Sequence, residues 1–175
     1  MKKKIDVRII LVLLLLFDLC FSFIQHYHKS LDGDLSSIVL GYPEVLKDPF
    51  GLGVLFEHKV YGGTNRFFVH WFMSGYFMQA PLLFQSWVSP IDSIYLSCAF
   101  AKTIIQLSII VSLSLMISGA RNILDKNFLL AAALITPFFQ TNGYNGYMGI
   151  INSSITYTFF YALQIALLLI RSEEH

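Results

Sequence analysis

The sequence predicts an all-α membrane protein: about four transmembrane helices, with a long extracytoplasmic first loop that contains interfacial helices. Three observations predict it. The chain is 55% hydrophobic and 13% charged over 175 residues, whereas soluble domains have about 45–50% apolar and about 25% charged residues. Apolar runs of near-spanning length alternate with polar connectors rich in turn residues. Basic residues fall at one end of each run, as they do on the cytoplasmic side of membrane spans. Lysine plus arginine total 12 and aspartate plus glutamate 11, so no basic surplus points to nucleic acid.

The first element follows "MKKK". Residues Ile9 to Ile24 form an apolar run interrupted by Asp18 and Ser22. At the helical rise they cover about 24 Å, a little less than a hydrocarbon core of about 30 Å, and Arg8 can snorkel at one end. A secretory signal is the rival reading, with Cys20 and Ser22 as the small residues before a cleavage point. The late Asp18 and the further spans favour a retained helix. A lipid-modified Cys20 is disfavoured because Asp18 and Leu19 precede it where small residues belong. Cys20 and Cys98 both fall in apolar segments and read as buried free thiols.

Residues 25–66 form the long polar stretch. It holds Asp32, Asp34, Glu44, Asp48 and Glu57 with turn residues from Gly41 to Gly63. Its aliphatic and aromatic content argues against disorder. Residues 67–90 are apolar but carry His70, Gln79, Pro81 and Gln85 with Trp71, Tyr76 and Trp87, and read as one or two interfacial or re-entrant helices. Residues 94–118 are a clear span. Residues 128–139 form a short one of about 18 Å, and residues 155–170 the last. The loop "TNGYNGYMG" reads as an interfacial turn, with Tyr144 and Tyr147 at headgroup level.

If residues 67–90 do not cross, the amino terminus, Arg121, Lys126 and Arg171 all lie in the cytoplasm and the acidic loop lies outside. That topology puts Asp18 about 9 Å and Lys102 about 12 Å below the same membrane face. These are the only formal charges inside the clear spans, and an unpaired charge there costs about 2.5–3.5 kcal/mol. An Asp18–Lys102 ion pair is therefore expected. The alternatives are that Lys102 snorkels outward or meets a lipid phosphate. Gln106, one turn on, shares its face.

"HYHKSLDGDLSS", His26 to Ser37, is the candidate site. It fails as an EF-hand, because Ser37 stands at the turn-glycine position and Pro43 at the bidentate-glutamate position. His26, His28 and Asp32 offer a weak zinc set. Asp32 or Asp34 can cap a helix beginning at "DLSSIVLGYPEVL". A carboxylate beside the first span can also act as a general base, or hold a divalent cation against a phosphate.

A basic amino terminus, a first span, and a long loop with an early acidic motif and later amphipathic helices form a recognisable arrangement. It resembles the amino-terminal part of GT-C-type polytopic membrane glycosyltransferases. The stretch from Asn127 to Arg171 is similar to their third and fourth spans, through Pro137 near one helix end and then Thr158, Phe159, Phe160 and Arg171. The resemblance implies sugar transfer from a polyprenyl-phosphate donor, with Asp32 or Asp34 as the loop carboxylate. This sequence departs from the pattern in two ways. "GIINSS" carries no charged residue before the last span, and relatives commonly have seven or more spans. The resemblance thus implies a truncated or split form. The competing reading is a small non-catalytic membrane subunit or scaffold, packing on a larger partner through Ser97, Ser108, Ser112 and Ser114. Transport along Asp18, Lys102 and Gln106 is a third, disfavoured by the few spans and the lack of an inverted repeat.

Overall fold

The computed structural model describes residues 6–41, 43–61, 66–139 and 151–172. Among them the fold is all helical, and three helices are long and apolar enough to cross a membrane. These are α1 (Val7–Tyr27), α5 (Pro90–Ser118) and α7 (Ile155–Ser172). Between α1 and α5 lie α2 (Gly33–Gly41), a 3₁₀ turn (Pro43–Leu46), α3 (Leu52–Phe56) and α4 (Phe67–Phe84). Helix α6 (Lys126–Ile135) continues as a 3₁₀ turn through Phe139.

Capping chemistry sets the starts. The Asp6 carboxylate accepts from the Arg8 amide at 3.0 Å, and Asp125 accepts from the Asn127 amide at 2.7 Å. Ser89 accepts from the Asp92 amide at 3.2 Å while its own hydroxyl donates to the Asp92 carboxylate at 2.7 Å. Pro90 follows at the first helical position, where its missing N–H costs nothing. The Ser89 cap thus starts α5 at Pro90, four residues earlier than the apolar run suggests.

Helix α5 is the axis. It packs against α1, α4, α6 and α7. Its 29 residues reach about 43 Å, well beyond a core of about 30 Å. Two cores form along it. One joins Leu11, Ile105, Ile109, Phe128, Leu129 and Ala166. The other, at the end carrying the acidic turn, joins Leu35, Val69, Met73, Phe77, Cys98 and Phe159. Helix α4 lies along only the first part of α5, and the Tyr76 hydroxyl donates to the Ser97 carbonyl at 2.8 Å.

The outer faces are apolar. Only 11% of the apolar window of α1 is buried, and Leu13 and Phe17 are 61% and 75% exposed. Water would penalise such a surface, whereas lipid chains accept it. The three helices are consistent with a membrane protein.

The expected short span at residues 128–139 is a helix that runs from Lys126 to Phe139. It covers about 21 Å, shorter than the three candidate spans. Residues 67–90 yield one helix, α4, and the start of α5. Of the two thiols expected to be buried, Cys98 is buried and Cys20 is exposed on α1. The turn with Tyr144 and Tyr147 lies outside the described residues.

Candidate functional site

The site grows from the turn that links α1 to α2. Helix α1 ends at Tyr27, and the chain then turns through Asp32 into α2. One Asp32 oxygen, Oδ1, accepts the Leu35 amide at 2.8 Å and so caps α2. The same oxygen accepts the Thr156 hydroxyl at 3.0 Å, while Oδ2 accepts the Thr156 amide at 3.0 Å and the Ser154 hydroxyl. Two of these donors are backbone amides at the first turns of α2 and α7, where helix starts leave N–H groups without partners. One carboxylate therefore staples the first loop to the start of the last helix.

Burial alone would raise the Asp32 pKa. The hydrogen bonds from Ser154, Thr156 and Leu35 outweigh it and hold the carboxyl below its usual range. A carboxylate so fully occupied is a poor base. Asp34 differs. It lies exposed in the first turn of α2, and among the described residues its carboxylate accepts no hydrogen bond. The choice that the sequence left open for the cap falls to Asp32.

The α7 side of the clasp escaped the sequence reading. "GIINSS" stands out in the sequence only for lacking charge, yet Ser154 caps α7 by accepting the Tyr157 amide at 3.2 Å. A Ser-x-Thr pattern just before an apolar run is a helix-start signal that points to both Ser154 and Thr156. Lys102 adds a second tie, because its ammonium donates to the Ser153 carbonyl.

The expected Asp18–Lys102 ion pair does not form. Among the described residues the one ion pair within 4.0 Å is Lys59–Glu57. Helix register explains the difference. Gln106 donates to the Ser22 hydroxyl at 3.1 Å and accepts at 3.1 Å from His26 Nε2. An amide oxygen only accepts, so that imidazole nitrogen carries the proton. Lys102 lies one turn from Gln106 towards the acidic turn, and Asp18 one turn from Ser22 the other way. Asp18 is buried beside Leu107, Ile110 and Val111. Depths counted from the ends of apolar runs had placed both charges at one level.

The zinc set is not assembled either. His26 turns inward to Gln106, and Asp32 is taken up by its donors. No group of three or more histidine, cysteine or carboxylate side chains suited to a metal occurs among the described residues.

An apolar groove of about 440 Å³ opens beside the clasp, between α2, α4 and the start of α5. Leu35, Val39, Phe77 and Leu82 line it, with Asp32 and Gln85 as polar points.

Ser97, Ser108 and Ser114, read as partner-seeking, donate instead to carbonyls four residues back in their own helix, at 2.7, 2.9 and 2.6 Å. Ser112 is buried.

Fold and site together define an all-helical protein with three helices long and apolar enough to cross a membrane and a carboxylate-stapled turn at one end of its bundle. No family model, curated protein or solved structure matches the chain.

Proposed function

We propose that the protein is a polytopic, glycosyltransferase-like membrane protein that uses a sugar carried on a polyprenyl phosphate. Its amino terminus is cytoplasmic and its acidic turn faces the other side. The observation that carries the reading is the Asp32 staple. It makes "DGD" a fixed feature and leaves Asp34 exposed beside a held turn.

In the proposed reaction an acceptor hydroxyl oxygen attacks the anomeric carbon of the donor sugar. The bond from that carbon to the phosphate oxygen breaks, and the lipid phosphate leaves with the bonding electrons. Asp34 takes the hydroxyl proton, and Asp32 holds the turn that presents it. The groove beside Asp32 offers apolar walls for the start of a polyprenyl chain. A divalent cation, if used, would draw on Asp34, because the Asp32 oxygens are occupied.

The test is transfer of labelled hexose from undecaprenyl-phosphate hexose in membranes containing the chain. Asp34→Asn should lower transfer by about 10²-fold or more at an unchanged protein level. Transfer that survives Asp34→Asn would overturn the role given to Asp34. Absence of transfer from the unsubstituted chain would return the reading to a non-catalytic membrane subunit.

A further inference from the structure

The first loop encloses a second cavity, away from the staple. It is a cleft of about 520 Å³ between the Pro43–Leu46 turn, α3 and Tyr61. The sequence builds this cleft with unusual care. Gly51 adopts a left-handed conformation, φ +67°, where a side chain would run into the Phe67 ring. At Gly53 a Cβ would meet the Tyr61 hydroxyl at 2.9 Å and the Asp48 carboxylate at 3.0 Å. His58 is left-handed too, with φ +52°. A non-glycine residue held in that region stores strain, which concentrates where a loop must keep a working shape.

Asp48 anchors the wall. Its oxygens accept the Leu52 amide at 2.8 Å and the Gly53 amide at 2.7 Å. The Tyr61 hydroxyl and the same carboxylate both crowd the Gly53 position. Little of this holds a core together, because Gly53 is the one buried residue of α3. The shape itself is what these residues maintain.

The lining states the chemistry. Glu57 and Lys59 neutralise each other at 2.5 Å, and Asp48 is occupied by its donors. That leaves Glu44 and Lys47, both exposed and of opposite sign. The lining carries one negative charge in excess, on the Asp48 carboxylate that its own loop amides already occupy, so the groups left to face a ligand are one strong acceptor and one strong donor. Phe56 adds a flat apolar wall and is 77% exposed. A flat ring beside paired polar groups matches a ligand with one C–H face and a rim of hydroxyls.

We propose that this cleft binds a neutral saccharide, stacked on Phe56 and hydrogen-bonded by Glu44 and Lys47. The inference stands on the loop alone and needs no transfer reaction.

The test uses the full chain in lipid nanodiscs, with maltotetraose, cellotetraose and chitotetraose as probes observed by saturation-transfer NMR. At least one should bind saturably below about 10 mM. Phe56→Ala and Glu44→Gln should each weaken it roughly tenfold, while Phe50→Ala, outside the lining, leaves it unchanged. Asp34→Asn should also leave it unchanged, which separates this site from the proposed transfer chemistry. Glu44→Gln alters an exposed side chain and keeps the fold, as a thermal melt would show. Failure of all three saccharides to bind overturns the proposal. So does binding that is indifferent to both substitutions. A third contrary result is Phe50→Ala and Phe56→Ala reducing contact with brominated lipid alike without touching saccharide binding, which would make Phe56 part of a membrane-inserted rim.

Discussion

Asp32 and Asp34 stand two positions apart and live in different surroundings. Asp32 accepts four hydrogen bonds, whereas Asp34 is exposed. Replacing Asp32 with asparagine leaves one acceptor oxygen where there were two. Donors at the start of α7 then lose their partner, and each costs about 1–3 kcal/mol. Asp32→Asn should thus lower the unfolding midpoint clearly, while Asp34→Asn should not. The pH dependence follows from the depressed Asp32 pKa. The folded state holds the carboxylate ionised more tightly than the unfolded chain does. Its stabilisation is complete above the usual aspartate pKa of about 3.9 and is lost as pH falls through the depressed folded value. Unfolding measured from pH 6 down towards pH 3 should show a loss in the parent chain that Asp32→Asn flattens. Equal slopes would contradict the staple. The sequence showed that one of these carboxylates caps a helix, because an Asx residue before an apolar run is a local signal. It did not show the partners Ser154 and Thr156, because those contacts join residues 122 and 124 positions apart.

Among the elements, α1 and α5 are registered by Gln106, which bridges Ser22 and His26. Interhelical hydrogen bonds in membranes are worth about 0.6 kcal/mol each, ~1.7 at most. Gln106→Leu should therefore cost about 1 kcal/mol in a mixed-micelle unfolding experiment. Ser108→Ala should cost close to nothing, since that exposed hydroxyl only bonds its own helix. Equal effects from the two would remove Gln106 from its role in register. The three long helices were legible from apolar run length alone. Their ends were less so, because Ser89 and Ser154 begin helices through caps rather than hydropathy. Register was not legible. Depth along a helix can be counted from a sequence, but the level at which two helices meet is set by side chains such as Gln106. This is why Asp18 and Lys102 were placed opposite each other and are not. Helix α4 kept the ambiguity of its sequence, too polar for a clear span and too apolar for a soluble helix, and it packs along only part of α5.

For the whole molecule, the apolar outer face of α1 and the length of α5 suit a bilayer. A polar turn, a groove and a cleft gather at or beyond one end of its bundle. Composition made the membrane class legible, because so many exposed apolar residues have no other stable solvent. The grouping of the turn with α7 came only from packing. Sidedness and the staple can be tested together. Asp32→Cys and Ser154→Cys would be combined in a chain carrying Cys20→Ser and Cys98→Ser, and intact cells would be treated with a short, membrane-impermeant bifunctional thiol reagent. The account predicts that the two introduced thiols are bridged from outside, without permeabilisation. Bridging only after permeabilisation would invert the topology, and labelling of each single thiol without any bridge would contradict the staple itself.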